Sequence, residues 1–349
     1  MKRLVIIVLV LVLALVTLTA CTQEPTPTPT PTPTQTPTPT PELITLKFYS
    51  FLPPEHPQGI LIVNDWVEYI EEQAGGRVKF EIYPAQQLFK ATDTIEAMQA
   101  GLADVAIFAS GYIAGKVPLW TSLDLPFADV NYAEQGEILL DPELQTILTT
   151  DIEKYDLVTV GMSCGGYSYI WNTKKPVENM EDLKGLNIRA AGGPTTKAFE
   201  LLGAAVTSMP TMDLPMALER GTVDGCHLAA SGIVGYKLDE TIKYGTIVNF
   251  GAMKGGKIMN KKSWDSLPKD IQDIILDADR ILIPQQAATL AESDETTIQS
   301  LQDKGIEIFF MPADEQARWA EKVMPIWGEW EEANGANGKR IREILWRGR

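Results

Sequence analysis

The chain has 349 residues, 45% of them hydrophobic and 22% charged, and its 30 Lys and Arg against 46 Asp and Glu give a formal net charge of −16 at pH 7. Removal of residues 1–20 takes away Lys2 and Arg3 and moves that charge to −18. So acidic a chain, with no basic cluster, excludes nucleic acid and anionic lipid surfaces as electrostatic partners.

Residues 1–20 open with Lys2 and Arg3, run apolar from Leu4 to Val16 and end in small residues. That is the pattern of a cleaved export signal, and the apolar span is short for a hydrocarbon core that takes about 20 residues. Leu18-Thr19-Ala20-Cys21 predicts a lipoprotein signal, with Cys21 as the lipid-bearing first residue and the protein anchored extracytoplasmically, in the periplasm or on the outer face of the cell membrane. Residues 21–42 are rich in alternating Thr and Pro. Such chain cannot bury enough apolar surface to offset its ordering entropy, so it reads as a spacer that extends by about 3.1 Å per residue, up to about 60 Å in all.

From residue 43 onward, about 300 residues suffice for two domains of ordinary size. Alternation over 43–51 predicts a strand, and Ile62, Trp66 and Ile70 at four-residue spacing predict a helix over 57–74 that stops at Gly75-Gly76. A strand at 77–83, a helix at 93–100 closed by Gly101 and a buried strand at 104–109 complete a β-α-β-α-β pattern, the mark of a mainly parallel sheet. Strand signals recur at 157–163, 168–171, 187–190, 226–229 and 246–250. Residues 268–304 read as one long helix bent at Pro284, where an internal hydrogen bond is lost.

Met98-Gln99-Ala100-Gly101-Leu102-Ala103-Asp104 runs to Ser110-Gly111, and Leu218-Glu219-Arg220-Gly221-Thr222-Val223-Asp224 runs to Ser231-Gly232. Each is a helix halted by a glycine, followed by an aspartate that starts a strand. The echo suggests two similar halves; the alternative is a coincidence between common junctions. Ligands of open parallel sheets gather at the carboxyl ends of strands, so Ser110 and the segment after His227 are expected to face one cleft.

Several phrases carry a family resemblance: Tyr83-Pro84-Ala85-Gln86-Gln87-Leu88, Gly101-Leu102-Ala103-Asp104-Val105-Ala106, Leu125-Pro126-Phe127, Asp182-Leu183-Lys184-Gly185-Leu186-Asn187-Ile188-Arg189 and Gly221-Thr222-Val223-Asp224-Gly225. In order and spacing the chain resembles the extracytoplasmic solute receptors of TRAP transporters. The resemblance implies an α/β, two-domain periplasmic-binding-protein fold with a long helix between the lobes. Lobe I would comprise 43–165 and about 250–283, and lobe II 166–249 and about 284–349. It implies closure over a small organic acid and delivery to membrane permease subunits. No cofactor is implied, and a metal ion bridging the ligand, as in some members, stays open. A sensor lipoprotein that shows its ligand to a signalling partner is the alternative.

Arg189 stands in a short apolar strand before Gly192-Gly193. Buried there, it needs an anionic partner, either a ligand carboxylate matched to its fork of donors or an internal Asp or Glu. The resemblance implies the first, as the main carboxylate clamp. Members that bind sialic acid or dicarboxylates tend to carry a second arginine about twenty residues upstream, where this chain has Tyr169; after the Asp-Gly it has Cys226-His227-Leu228-Ala229 in place of a polar run. With Arg189, Tyr169, Trp171 and His227, the site is expected to suit a monocarboxylate with an apolar or aromatic body, or a keto or hydroxy acid.

Phe51 and His56, in the loop after the first strand, either face the cleft with Ser110 or cap and fill locally. Trp319, Trp327, Trp330 and Trp346 have the spacing of helix packing. Cys164 and Cys226 are either a disulfide or two small buried hydrophobes. An enzyme is not expected: His56 and His227 fit no triad or zinc spacing, and Cys226 and His227, adjacent on a strand, point to opposite faces.

Overall fold

Two β-sheets, each crossed by one strand that runs against its neighbours, organise the chain. The computed structural model describes residues 43–128, 131–252 and 254–347; the apolar leader, Cys21 and the Thr-Pro spacer lie outside them. The first sheet contains β1 (Ile44–Tyr49), β2 (Val78–Tyr83), β3 (Val105–Ala109), β4 (Leu157–Ser163) and, from much later in the chain, β10 (Gly255–Asn260). Its order is β2-β1-β3-β10-β4. The second contains β5 (Ser168–Asn172), β6 (Asn187–Ala190), β7 (Ala205–Ser208), β8 (Gly225–Ala229), β9 (Tyr244–Ile247) and β11 (Glu307–Phe310), in the order β11-β9-β5-β8-β6-β7. β10 is antiparallel to β3 and β4, and β5 is antiparallel to β8 and β9. Mixed sheets of this kind join two α/β lobes.

As extended chain the polypeptide passes between the sheets twice, after β4 and after β9, and it passes a third time through the helical stretch between β10 and β11. The two extended passages pair: Ser168 N donates to Gly251 O at 2.9 Å, and Tyr167 and Ala252 form an antiparallel bridge. The strand expected over 246–250 therefore ends at Ile247, because Val248–Phe250 belong to this link, where Phe250 N turns back to Val248 O.

The internal echo is a repeated hydrogen-bond device. Gly101 and Gly221 end their helices at φ +71° and +67°, the left-handed region that glycine enters without steric cost. Asp104 Oδ2 then accepts from Lys47 N at 2.8 Å, and Asp224 Oδ2 accepts from Asn187 N at 2.9 Å. In both halves one aspartate ties the start of its strand to the neighbouring parallel strand.

The long helix Lys269–Asp303 runs through Pro284, whose missing N–H leaves the Arg280 carbonyl without its helical donor. It is fixed to the first sheet by Asp279, which pairs with the fully buried Lys257 at 3.1 Å and accepts from Met162 N. Asp294 fixes it to the second sheet by accepting from Tyr169 Oη at 2.5 Å, and to the first lobe by accepting from Tyr132 Oη at 3.0 Å. The C-terminal helices bury Trp319 and Trp327, and Trp330 Nε1 donates to Thr121 Oγ1 at 2.9 Å.

Candidate functional site

Arg189 sits near the end of β6, fully buried. Every acceptor around it is neutral: Nε donates to Met209 O at 2.9 Å, Nη1 to His227 O at 3.5 Å and Nη2 to Tyr112 Oη at 3.1 Å. Among the described residues no carboxylate pairs with it, so the internal ion-pair alternative does not hold. A guanidinium has five N–H donors; three are used here, and the charge itself is uncompensated.

The cation lies where the lobes meet. Tyr112 follows β3 in the first lobe, and its hydroxyl accepts from Thr211 N at 3.1 Å and bonds to Thr211 Oγ1 at 2.8 Å, both in the second lobe. Tyr236 completes the group. Its phenol is held far above the ordinary tyrosine range by burial and by Tyr112, against the Arg189 charge. Beside this cluster Gly111 packs on Ala191 and Gly192, and a Cβ at Gly192, whose φ is +128°, would collide with Gly111 O.

A cavity of about 30 Å³ lies between the lobes, lined by Gln58 and Asp124 of the first, by Thr195 and His227 of the second and by Ser168 and Phe250 at the link; Arg189 does not line it and reaches it only through the His227 carbonyl. That is room for about two water molecules. Asp124 accepts from Ser110 Oγ at 2.5 Å and from Lys254 N at 3.2 Å. His227 lies between the rings of Phe199 and Phe250, with centroids 5.2 and 5.5 Å away. Burial first, and then the Arg189 charge, lower its pKa to about 3, so the ring is neutral at physiological pH.

The other expected site residues stand further back. Along β5 successive side chains alternate faces; Ser168 faces the cavity, which turns Tyr169 and Trp171 away. Tyr169 binds Asp294 of the long helix, and the Trp171 indole donates to Leu228 O at 2.8 Å in the core of the second sheet. Ser110 is fully buried and bonded to Asp124 and Lys254 O within the first lobe. His56 accepts from Gln58 N at 3.2 Å as a helix cap and packs on Tyr236, while Phe51 packs edge-on against Tyr112 at 5.5 Å. These two thus support the phenols around Arg189 from behind and do not line the cavity. Cys164 and Cys226 are separate buried thiols, with Cys226 pushed up to about 12 by burial, so the disulfide alternative does not hold.

Tyr112, Thr211, Tyr236, Gln58, Asp124 and Thr195 were not legible as site residues. Only the Ser110-Gly111-Tyr112 turn after a buried strand carried a signal that pointed toward them. Among the described residues no group of three or more His, Cys, Asp or Glu is arranged to hold a metal ion.

Residues 48–333 match the family described as bacterial extracellular solute-binding protein, family 7. The C4-dicarboxylate-binding periplasmic protein DctP of Rhodobacter capsulatus is 27% identical over 301 residues, 84% of this chain and 89% of that protein. A TRAP periplasmic solute-binding protein from Polaromonas sp. JS666, bound to D-erythronate, has a TM-score of 0.78 at 20% identity, covering 88% of this chain and 99% of that one. A marine-metagenome TRAP solute-binding protein specific for aromatic acid ligands, in complex with metahydroxyphenylacetate, has a TM-score of 0.78 at 24% identity, over 86% and 97% of the two chains. A two-lobed fold, a lone buried guanidinium at the lobe junction and a family match across most of the body lead to one assignment: this chain belongs to family 7 of the bacterial extracellular solute-binding proteins, the extracytoplasmic receptors of TRAP transporters.

Proposed function

We propose that the chain captures a small organic acid with a single carboxylate and an apolar, aromatic, keto or hydroxy body, and passes it to TRAP permease subunits from a lipid tether on Cys21. The observation that carries this reading is Arg189, a fully buried cation with only neutral acceptors. A buried charge without a counter-charge is costly, and a guest carboxylate supplies one with matching two-pronged geometry. The known ligands of relatives vary, from C4-dicarboxylates to D-erythronate and metahydroxyphenylacetate, so the choice belongs to the site's own residues.

Entry requires the lobes to part, since the enclosed space is far smaller than an organic acid. Rejoining them over the ligand places the Tyr112 and Tyr236 hydroxyls and Arg189 around one anion. The reading is of binding without chemistry: His56 is committed to a helix cap, His227 is held neutral, and the Cys226 thiol is far from thiolate.

A thermal-shift screen of the full chain in detergent, comparing monocarboxylates with C4-dicarboxylates, tests the ligand class. Stabilisation by succinate or malate alone overturns it. Arg189→Ala abolishes the shift if the clamp is correct. Cys21→Ala, followed by membrane fractionation, tests the tether; unchanged membrane retention overturns that part.

A further inference from the structure

Two neutral side chains reach the cavity with free hydrogen-bonding groups, Gln58 from the first lobe and Ser168 from the start of β5. They are only 9% and 3% exposed, yet among the described residues neither the Gln58 amide nor Ser168 Oγ has a hydrogen-bond partner. Neither group is sealed off, and both keep open surface on the space they line. Their polar neighbours on the wall are engaged: Thr195 Oγ1 donates to Asp124 O at 3.4 Å, and the Asp124 carboxylate accepts from Ser110 and from Lys254 N. Native proteins leave few buried polar groups without a partner.

Gln58 is held at this spot from both sides. Pro57 and the His56 cap, which accepts from Gln58 N at 3.2 Å, fix its backbone at the start of a short helix. Its side chain crosses the lobe boundary and lies where Gly166 has no side chain; a Cβ on Gly166 would stand 2.8 Å from Gln58 Nε2 and 3.0 Å from the Ala229 Cβ of β8. His227, whose carbonyl accepts from Arg189 Nη1, stands on the same cavity wall. A guest clamped at Arg189 therefore has this space beside it for its body.

An amide and a hydroxyl each both donate and accept. Being neutral, they satisfy a carbonyl or a hydroxyl of the guest but bring no countercharge for a buried ion. An apolar body that fills the space leaves both unpaired. Resting on the carboxylate-receptor reading above, we infer that Gln58 is a specificity-determining residue: together with Ser168 it bonds a neutral carbonyl or hydroxyl on the body of the guest, and so selects keto and hydroxy acids over acids whose body is wholly apolar.

Titration calorimetry on the full chain in detergent, with matched acids, decides the matter. The sets are 2-oxobutyrate and the 2-, 3- and 4-hydroxybutyrates with butyrate, and mandelate and 3-hydroxyphenylacetate with phenylacetate. At least one keto or hydroxy acid should bind about tenfold or more tightly than its apolar parent, the loss expected when buried polar groups are left unpaired. Gln58→Met keeps the length of the side chain and removes the amide, and it should bring that ratio to within about twofold. If Gln58→Met fails to fold by circular dichroism, Ser168→Ala carries the test with the same direction of change. A ratio unchanged in the folded variant overturns the inference. Loss of every acid, apolar parents included, in folded Gln58→Met also overturns it, because Gln58 would then belong with the carboxylate clamp. Arg189→Ala separates the two levels. Acids that bind wild type in an Arg189-dependent way without preference for a polar body sink the inference alone, whereas acids that never bind sink the receptor reading with it.

Discussion

Tyr112 Oη and Arg189 Nη2 meet across the lobe boundary at 3.1 Å, and the same phenol is also bound by the backbone and side chain of Thr211. One hydroxyl of the first lobe thus occupies three groups of the second. In Tyr112→Phe the Arg189 donor and the Thr211 amide lose a buried acceptor together. The closed form should lose about 1–3 kcal/mol, read as a lower urea midpoint. An unchanged midpoint would show that the contact contributes nothing in solution.

Gly192 controls how near the lobes come. Its φ of +128° and the Gly111 carbonyl beside it leave no room for a methyl group. Gly192→Ala should therefore hold the lobes apart and weaken acid binding by about tenfold or more, since strain of this kind costs about 1–3 kcal/mol. Small-angle scattering with and without ligand checks it: wild type contracts on binding, and the variant should contract less. Equal contraction and equal affinity would refute the steric account.

Lys257 and Asp279 form a buried ion pair between the first sheet and the long helix, with the Lys257 ammonium also 5.7 Å from the Trp66 ring centroid. Lys257→Met alone strands the carboxylate and should cost about 3–5 kcal/mol, whereas Lys257→Met with Asp279→Leu should cost much less than the two single changes summed. A double-mutant cycle by chemical denaturation measures the coupling, and additive losses would mean that the pair does not interact.

Acid should loosen the fold through His56. Burial lowers its folded pKa to about 4 from the ordinary 6.5, so the folded ring stays neutral while the unfolded ring takes up a proton below pH 6.5. The contribution is complete above pH 6.5 and is lost as pH falls toward 4, at about 1.4 kcal/mol per pH unit, or about 3 kcal/mol in all. His56→Asn keeps an acceptor for the helix cap and should reduce the slope of the stability profile between pH 6.5 and 4 by about 1.4 kcal/mol per pH unit, with the neutral His227 still contributing its own slope. Parallel profiles for the two proteins would contradict this.

How much of this was readable from the chain depended on whether the signal was local. β1, β2 and β3 were legible because apolar residues alternate or run together between glycine and proline breaks. β10 was not. It begins Gly255-Gly256-Lys257, and those glycines are there because Gly255 lies against Phe108 O and Gly256 against the Trp120 ring, a demand set by distant strands. Arg189 stood out as a lone cation in a short apolar strand. Tyr169 and Trp171 misled because the face a strand residue takes depends on its partners, and antiparallel pairing of β5 turned Ser168 toward the cavity. Tyr112 and Tyr236 sit in unrelated segments that meet only after folding.

The complete burial of Arg189 within a chain of net charge −16 bears on how quickly a ligand arrives. At physiological ionic strength fields fade over about 8 Å, so an approaching anion feels the acidic envelope before it feels the guanidinium. Dissolved salt weakens that repulsion and should speed capture, the reverse of what attractive steering produces. The cation acts as a short-range catch, felt only once the ligand is already inside the door.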